Sequence, residues 1–133
     1  MLPFLGRGHI HGWMQYMISA RIWSTLDGIV SGVKGVWCPP EFHRTTIVIS
    51  IEQKHGGHAK QAALAALGQY GYNIKYIIMV DDDIDPFNIR EVTFALAFRA
   101  DPEKFDIIKE TWCDSLTPTL SPLQRQDDNI ESV

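Results

Sequence analysis

The sequence has little cysteine and no long apolar run. Cys38 and Cys113 are the two cysteines among 133 residues, and neither belongs to a CxxC pair, so a zinc ribbon is disfavoured. We expect two free thiols, because disulfides are rare in a reducing cytoplasm. No segment approaches the length of about 18 apolar residues that a membrane span needs, and the N-terminal stretch lacks the apolar core of a signal peptide. We therefore expect a cytoplasmic protein with no membrane span.

An excess of basic residues is also missing. Lysine and arginine number 12 against 16 aspartates and glutamates, and the formal net charge is −4. Binding to nucleic acid through phosphate neutralisation is therefore not expected. The nucleotide motifs GxGxxG and GxxxxGK[ST] are absent, and so is the GxSxG elbow of serine hydrolases. Because the glutamates are scattered, the sequence gives no paired acid and base, and we assign no catalytic residue.

Apolar residues are numerous enough for one core. The hydrophobic fraction is 45% and the charged fraction 21%, both ordinary for a globular protein. The length is close to the commonest domain size. We predict an irregular, glycine-rich arm over residues 1–12, a single α/β domain over residues 13–118, and a polar, flexible tail over residues 119–133.

The middle of the chain has the pattern of a βαβ unit. Thr45–Gln53 is dense in β-branched residues, which is typical of a strand. Ile74–Val80 is apolar enough for a second strand covered on both faces, and His58–Tyr70, rich in alanine, predicts the helix between them. The fold class that follows is α/β, with a mixed or parallel sheet and flanking helices. The other predicted elements are a first helix from Trp13 to Gly28, an edge strand at Val33–Cys38, a helix at Pro86–Arg99 and a short last strand at Phe105–Ile108.

The first helix carries more aromatic bulk than one narrow apolar stripe needs. Trp13, Tyr16 and Trp23 add to the periodic apolar positions of this segment. The simpler interpretation is that all three pack in the core of the domain. The alternative is that the helix is buried between subunits or domains, because large exposed apolar patches mark interaction sites.

The acidic segment Asp81–Asp85 follows the second predicted strand, at the end of a strand where α/β folds place ligands. Carboxylates bind hard cations such as magnesium, but carboxylates that cap a helix or favour its positive end are the simpler interpretation. Asp85 is a suitable N-cap with Pro86 at the first helical position. Asn88 with Glu91 is an alternative capping box one turn later.

Two histidine pairs are the other candidates for ligand binding. His9 and His11 have a spacing that could clamp a metal, but they lie in the predicted arm, and we assign no metal-binding residue. The sequence HGGH at 55–58 opens a helix, where backbone N–H groups can receive a phosphate or a carboxylate. His58 and Lys60 are therefore candidate cofactor-binding residues, and a plain tight turn is the alternative.

Four stretches in order along the chain resemble the C-terminal part of the UbiD-like carboxy-lyases. These enzymes decarboxylate aromatic and α,β-unsaturated acids with prenylated flavin mononucleotide (prenylated FMN). The segments GHAKQ and VDDDIDPxN, at this separation, are the most specific part of the resemblance, which covers roughly residues 33–118. The matching stretches are GVKGVWCPP (32–40), TTIVISIEQKHGGHAKQAALAAL (45–67), YIIMVDDDIDPFNIREVTFALAFRADPEK (76–104) and TWCDSLTP (111–118).

The resemblance implies an α/β domain that mediates oligomers and closes one side of an active-site cleft. In the family, the prenylated FMN and a divalent metal such as manganese bind in a preceding split β-barrel domain, which also supplies a glutamate–arginine–glutamate group. The sequence has no counterpart of that domain, so we expect no cofactor in this chain alone. By the same resemblance, Asp114, Ser115 and Leu116 line the pocket of the substrate, an acid such as a hydroxybenzoate. Gln69 stands where some relatives have a lysine near the cofactor.

The chain also departs from the family pattern. Residues 41–43 replace a common Gly-Gly, and the usual extension after Pro118 is missing, so the chain looks truncated at both ends. Three hypotheses follow: the C-terminal domain (or one half) of a flavin-dependent decarboxylase, a non-catalytic assembly module, or a truncated gene product. We expect an isolated chain that does not decarboxylate and that forms a homo-oligomer or binds a separate flavin-binding subunit.

Overall fold

A computed structural model of the protein describes residues 8–42, 44–69 and 74–108. It has the α/β architecture that the sequence predicts, with a three-stranded sheet between helices. Its helices are α1 (Gly8–Ile29), α2 (His58–Gln69) and α3 (Ile89–Phe98), its strands are β1 (Val33–Trp37), β2 (Thr46–Ile51) and β3 (Tyr76–Asp81), and single 3₁₀ turns lie at Pro40–Phe42 and Pro102–Lys104.

The sheet is mixed, with the strand order β1-β2-β3. β2 and β3 are parallel and pair from Thr46 with Tyr76 to Ile51 with Asp81. Since α2 connects them, the predicted βαβ unit is confirmed. β1 pairs antiparallel with the other side of β2, so it is the predicted edge strand. The prolines that follow β1 suit that position, because proline cannot donate a hydrogen bond to a further strand.

β2 is the centre of the fold and is buried at all of its positions. Successive side chains of a strand point to opposite faces of the sheet. Ile47, Ile49 and Ile51 join a core cluster with α1 and α2, whereas Val48 joins a second cluster with α3. The domain is therefore a three-layer structure with β2 in the middle.

α1 is attached to the sheet by an apolar stripe and by one polar contact. Ile18, Ile22 and Leu26, at a spacing of four residues, are buried in the core. The Ser19 hydroxyl accepts a hydrogen bond of 3.0 Å from the Cys38 backbone N–H, which fixes the end of β1 to the helix. Burial raises the pKa of the Cys38 thiol to about 11, so this free cysteine stays protonated at neutral pH. Cys113 lies outside the described residues.

α1 is longer than its apolar pattern predicts. It begins at Gly8, so residues 8–12 are helical and the predicted irregular arm is wrong over that part, while residues 1–7 lie outside the described residues. Glycine has low helix propensity, and this made the segment look irregular. A helix nucleated by the buried stripe gains one hydrogen bond for each residue added, however, and can extend past weak formers.

Two predictions about the later strands are wrong. β3 is not covered on both faces: Val80 is buried, but Tyr76 is 63% exposed and the residues between are half-buried. The reason is that β3 lies at the edge of the described sheet, where an apolar sequence does not ensure that both faces of the strand are buried. Phe105–Ile108 is not a strand; this segment is exposed and pairs with no strand of the described sheet.

The start of α3 follows the later of the two predicted caps. The Asn88 side chain accepts a hydrogen bond of 3.2 Å from the N–H of Arg90, and it is the N-cap. The Glu91 carboxylate accepts bonds from the Asn88 side chain at 3.1 Å and from the Asp85 N–H at 3.0 Å. Asp85 instead accepts a bond of 3.0 Å from the N–H of Phe87. It closes the preceding turn and does not begin the helix.

The core interpretation holds for one of the three aromatic residues of α1 and fails for the other two. Trp23 is half-buried against the core, as the core interpretation predicts. Trp13 is 55% exposed and Tyr16 66% exposed, so the core interpretation is wrong for these two. The Tyr16 ring lies 5.0 Å from that of Trp37, which in turn lies 5.2 Å from that of Phe87. Within the described residues, no helix is both long and apolar enough to cross a bilayer.

The two glycines Gly35 and Gly28 give a matched test of this packing. A Cβ added at Gly35 would lie 2.9 Å from Cγ of Pro86, whereas one at Gly28 would meet nothing within 4 Å. We expect Gly35→Ala to lower the free energy of unfolding by about 1–3 kcal/mol, the usual cost of overpacking. Gly28→Ala, in α1, should raise it by up to about 1 kcal/mol, because alanine favours the helix. Urea unfolding followed by circular dichroism measures both, and equal losses would contradict the close approach of Pro86 to β1.

Candidate functional site

The carboxyl ends of β2 and β3 bring two polar turns to one edge of the sheet. Ile51 and Asp81 are paired in register, so the HGGH turn (55–58) and the acidic turn (81–85) leave the sheet close together. We call this pair of turns the carboxyl edge. In open α/β sheets, ligands bind outside the carboxyl ends of the strands, so the carboxyl edge is the first place to look for chemistry.

His58 is fixed inside the HGGH turn. Its side chain is 3% exposed, and its Nδ1 accepts a hydrogen bond of 3.2 Å from the backbone N–H of Lys54. The His55 ring stacks on it with centroids 4.5 Å apart. Gly57, at φ +80°, makes the reversal before the helix. His58 therefore holds the turn in place, and its contact with a cofactor stays a prediction.

The three candidate cofactor-binding residues do not converge. Lys60 lies near His58 at the start of α2, but its Nζ is 2.7 Å from Oδ1 of Asp106, and both side chains are more than half exposed. Gln69 is the last residue of α2. At a rise of 1.5 Å per residue it lies about 16 Å along the helix from His58. A single small group cannot contact all three, and Gln69 stands apart from the carboxyl edge.

The acidic turn is closed by an arginine from the end of α3. Arg99 makes two hydrogen bonds to the Asp83 carboxylate, of 2.9 and 2.8 Å, and one of its nitrogens lies 4.0 Å from Oδ2 of Asp81. The side-chain hydrogen bond from Arg99 lowers the pKa of Asp83. The two aspartates thus pair with a cation of the chain itself, at the C-terminal end of α3, an arrangement that neither the metal-binding nor the helix-capping interpretation of this segment predicted.

Another ion pair lies at the start of β1. Lys34 Nζ is 2.9 Å from Oε2 of Glu52, and both side chains are about half exposed. The hydrogen bond between them raises the pKa of Lys34 and lowers that of Glu52. Glu52 is therefore ionised at neutral pH and cannot act as a general acid, which needs a raised carboxyl pKa.

A small cavity opens between β3 and α3. Its volume is about 150 Å³, and it is lined mostly by apolar side chains, with Asp81 and Arg99 among the lining residues. Pockets for cofactors and drug-sized ligands are usually 300–1,000 Å³. The cavity is therefore too small for a flavin.

Several predicted site residues cannot be placed. Asp114, Ser115 and Leu116, the predicted substrate contacts, lie outside the described residues, and nothing is described of the side chains of His9 and His11. Among the residues whose side chains are described, no group of three or more histidine, cysteine, aspartate or glutamate side chains is placed to hold a metal ion.

Sequence reasoning missed the role of Arg99. It placed this residue at the end of a helix, but it did not pair it with Asp83, which is 16 residues away. A weak signal was present, because cations favour the last turn of a helix. Nothing in the sequence, however, shows that the end of α3 returns to the acidic turn.

The comparison with protein families extends the resemblance toward both ends of the chain. The family described as the 3-octaprenyl-4-hydroxybenzoate carboxy-lyase C-terminal domain (UbiD_C) matches residues 11–129. This is wider than residues 33–118, which contain the motifs that carry the resemblance.

Curated relatives match over a part of the chain. A phenolic acid decarboxylase of Escherichia coli O157:H7 is 38% identical over 63 residues, which is 45% of this chain and 13% of that protein. An anhydromevalonate phosphate decarboxylase of Methanocaldococcus jannaschii is 41% identical over 61 residues, 46% of this chain and 14% of that protein. The matched part is thus less than a fifth of either relative.

Solved structures match over most of the chain. The UbiD-class enzyme HmfF of Pelotomaculum thermopropionicum, solved with FMN, has a TM-score of 0.73 and 30% identity over 86% of this chain and 24% of that one. The closed form of Sedimentibacter hydroxybenzoicus vanillic acid decarboxylase has a TM-score of 0.73 and 27% identity, covering 86% of this chain and 23% of that one.

The described residues of this chain do not fit a flavin or its metal ion by themselves. They contain no cluster of metal ligands, and the cavity beside β3 is too small for an isoalloxazine ring system. Two cationic side chains beside the carboxyl edge are already paired within the chain, Lys60 with Asp106 and Arg99 with Asp83. No reaction step is therefore assigned to a group held by these residues.

The titration of Asp83 tests the closure of the acidic turn. Because Arg99 lowers the pKa of Asp83 from its ordinary 3.8, the ion pair stabilises the fold at neutral pH, and its contribution is lost as the pH falls through the lowered pKa. We expect Arg99→Gln to raise the titration midpoint of the Asp83 carboxyl carbon, measured by NMR. Lys34→Gln is the matched control: it should raise the midpoint of Glu52 and leave that of Asp83 unchanged. An unchanged Asp83 midpoint in Arg99→Gln would contradict the bidentate pair.

The role of His58 is tested by removing its acceptor nitrogen. His58→Leu keeps the bulk of the side chain but leaves the Lys54 N–H without its partner, so we expect the free energy of unfolding to fall by about 1–3 kcal/mol. His55→Leu changes the exposed member of the stacked pair and should cost less than about 0.5 kcal/mol. Chemical unfolding of both variants measures the difference. Similar stabilities of the two variants would show that His58 does not hold the turn.

Proposed function

Because this chain belongs to the UbiD C-terminal domain family, we propose that it is the C-terminal part of a decarboxylase of aromatic or unsaturated carboxylic acids. In this proposal the chain forms one wall of the active-site cleft and contributes to assembly. A separate flavin-binding unit, in the same polypeptide or in another, supplies the cofactor and the proton-transferring groups. The isolated chain is then inactive.

The observation that carries the proposal is the family match across residues 11–129. The relatives' names support the reaction class, since phenolic acid and anhydromevalonate phosphate decarboxylases both remove carbon dioxide from an acid. The solved relative HmfF was obtained with FMN, and an evolved dimeric form of it with prenylated FMN. Prenylated FMN with a divalent metal such as manganese is accordingly the cofactor we propose for the complete enzyme.

The arrangement of charges supports a partial rather than a complete active site. At the carboxyl edge, Asp83 is paired with Arg99, Asp85 closes a turn, and His58 accepts a backbone hydrogen bond. These groups stabilise the local structure: Arg99 lowers the pKa of Asp83, and Nδ1 of His58 is already used as a hydrogen-bond acceptor. In this proposal, the proton-handling groups come from the flavin-binding unit.

Closure over a substrate is the second part of the proposal. Vanillic acid decarboxylase has been solved in open and closed forms, and its chains match this one with TM-scores of 0.71 and 0.73. A rigid three-layer domain is suited to move as one body in such a change. In the proposal, Asp114, Ser115 and Leu116 contact the substrate in the closed state, and a hydroxybenzoate is the substrate class.

A decarboxylation assay tests whether the chain depends on a separate flavin-binding unit. We expect the purified chain, supplied with prenylated FMN and manganese, to release no carbon dioxide from 4-hydroxybenzoate or vanillic acid. A chimera in which residues 11–129 replace the matching domain of vanillic acid decarboxylase should release carbon dioxide from vanillic acid at least about tenfold faster than that enzyme with the domain deleted.

Two results would contradict the proposal. Turnover by the isolated chain would show that it contains its own proton-transferring groups. A chimera that folds and binds the flavin, but is no faster than the deletion control, would show that the chain cannot form the second wall of the cleft. Gly28→Ala in the chimera is the matched control, because a Cβ added at that position would meet nothing within 4 Å, so the rate should not change.

A further inference from the structure

The segment that follows α3 leaves large apolar side chains in water. Phe105 is 63% exposed and Ile107 is 83% exposed, and residues 105–108 form neither a helix nor a strand. Because removal of apolar surface from water is favourable, packing of these side chains against the domain would stabilise it. We call residues 105–108 the strap.

The strap is tethered by an exposed ion pair. Lys60 Nζ lies 2.7 Å from Oδ1 of Asp106, and both side chains are more than half exposed. An exposed pair of this kind adds little to stability. The pair therefore holds the strap beside the start of α2, but it does not hold the neighbouring side chains of Phe105 and Ile107 in water.

The strap begins close to the cavity between β3 and α3. Ala100 lines this cavity together with Ile78 and Val80 of β3, which pack on the side of the sheet that α3 covers. Phe105 follows Ala100 by five residues, and a chain of that length spans up to about 17 Å. The side chain of Phe105 is therefore within reach of the cavity.

The size and the lining of the cavity fit an aromatic ring. Its volume is about 150 Å³, and Ala95 and Leu96 of α3 add to its apolar lining. An engineered apolar cavity of about 150 Å³ in another protein stays free of water and binds benzene. The phenyl ring of Phe105 has the six carbons of benzene, so it matches the cavity in size and in polarity.

The charges beside the cavity favour a side chain over a free acid as its occupant. Arg99 makes two hydrogen bonds to the Asp83 carboxylate and lies 4.0 Å from Oδ2 of Asp81. A carboxylic acid in the cavity would have to displace Asp83 from this arginine. A phenyl ring needs only the apolar part of the lining, and it leaves the ion pair intact.

We propose that the strap closes over the cavity between β3 and α3 by inserting the ring of Phe105 into it. In the open position, which the structure describes, the ring is in water and Asp106 pairs with Lys60. In the closed position, the ring lies between Ile78 and Leu96. Closure does not rest on the decarboxylase assignment: an inactive chimera would leave closure standing, and a strap that stays open would leave the decarboxylase proposal standing.

Benzene is the probe of an unfilled cavity. We expect Phe105→Ala to bind benzene at least about tenfold more tightly than the unaltered 133-residue chain, because a ring that fills the cavity about nine-tenths of the time weakens a competitor by that factor. NMR shifts of the labelled methyl groups of Ile78, Val80 and Leu96 measure the binding. Phe98→Ala is the matched control: Phe98 is 76% exposed on α3 and lies outside the lining of the cavity, so the affinity for benzene should stay within about twofold.

A second measurement detects closure directly. In the unaltered chain, we expect nuclear Overhauser effects from the ring protons of Phe105 to the methyl groups of Ile78 and Leu96, since these groups are in contact in the closed position. This measurement needs no substitution and does not depend on how a variant folds.

Three outcomes would overturn closure of the strap. One is the absence of nuclear Overhauser effects between the Phe105 ring and these methyl groups. Another is benzene binding that does not differ between Phe105→Ala and the unaltered chain, while circular dichroism shows both to be folded. The third is a gain in benzene affinity in Phe98→Ala as large as that in Phe105→Ala, which would show that the effect is not specific to the strap.

Discussion

The burial of β2 on both faces is the constraint on which the rest of this structure depends. A strand with no exposed position needs helices on both sides of the sheet, and α1 with α2 on one side and α3 on the other meet that need. The parallel pairing with β3 is then in register along its whole length. That register brings the HGGH turn and the acidic turn together, so the carboxyl edge is a consequence of how the core is built.

The same constraint explains why several polar groups of the carboxyl edge are already used in contacts within the chain. Each turn must hold its shape without help from a neighbouring strand, and its polar groups are used for that purpose. His58 accepts the Lys54 N–H, Asp85 the Phe87 N–H, and Asp83 the Arg99 guanidinium. A carboxylate in a bidentate arginine pair has a lowered pKa and cannot take up a proton near neutrality. The polar groups of the carboxyl edge that form these contacts therefore stabilise the turns of the domain.

The sequence predicted features that depend on neighbours along the chain and failed on those that depend on the rest of the fold. β2, α2 and the Asn88–Glu91 cap follow from β-branched density, alanine content and a spacing of three residues, all of which are local. How far the faces of β3 are buried depends on which strand lies beside it. Its apolar composition alone therefore indicated burial on both faces wrongly. The exposure of Trp13 and Tyr16 depends on which face of α1 meets the sheet, and the many apolar residues of that helix do not distinguish its faces. The Arg99–Asp83 pair spans 16 residues, and no periodicity connects them.

Polar and apolar contacts hold different parts of the surface of this domain. In the acidic turn, the Asp83 carboxylate is paired with Arg99 within the chain. The rings of Tyr16, Trp37 and Phe87 lie in contact one after another and have no charges to pair, so their contacts are favoured by the removal of rings from water. These two kinds of contact respond differently to salt. The attraction between paired exposed charges weakens as ionic strength rises, whereas apolar contacts do not weaken. Added salt is therefore expected to loosen the ion pair of the acidic turn while the apolar contacts of these rings stay in place.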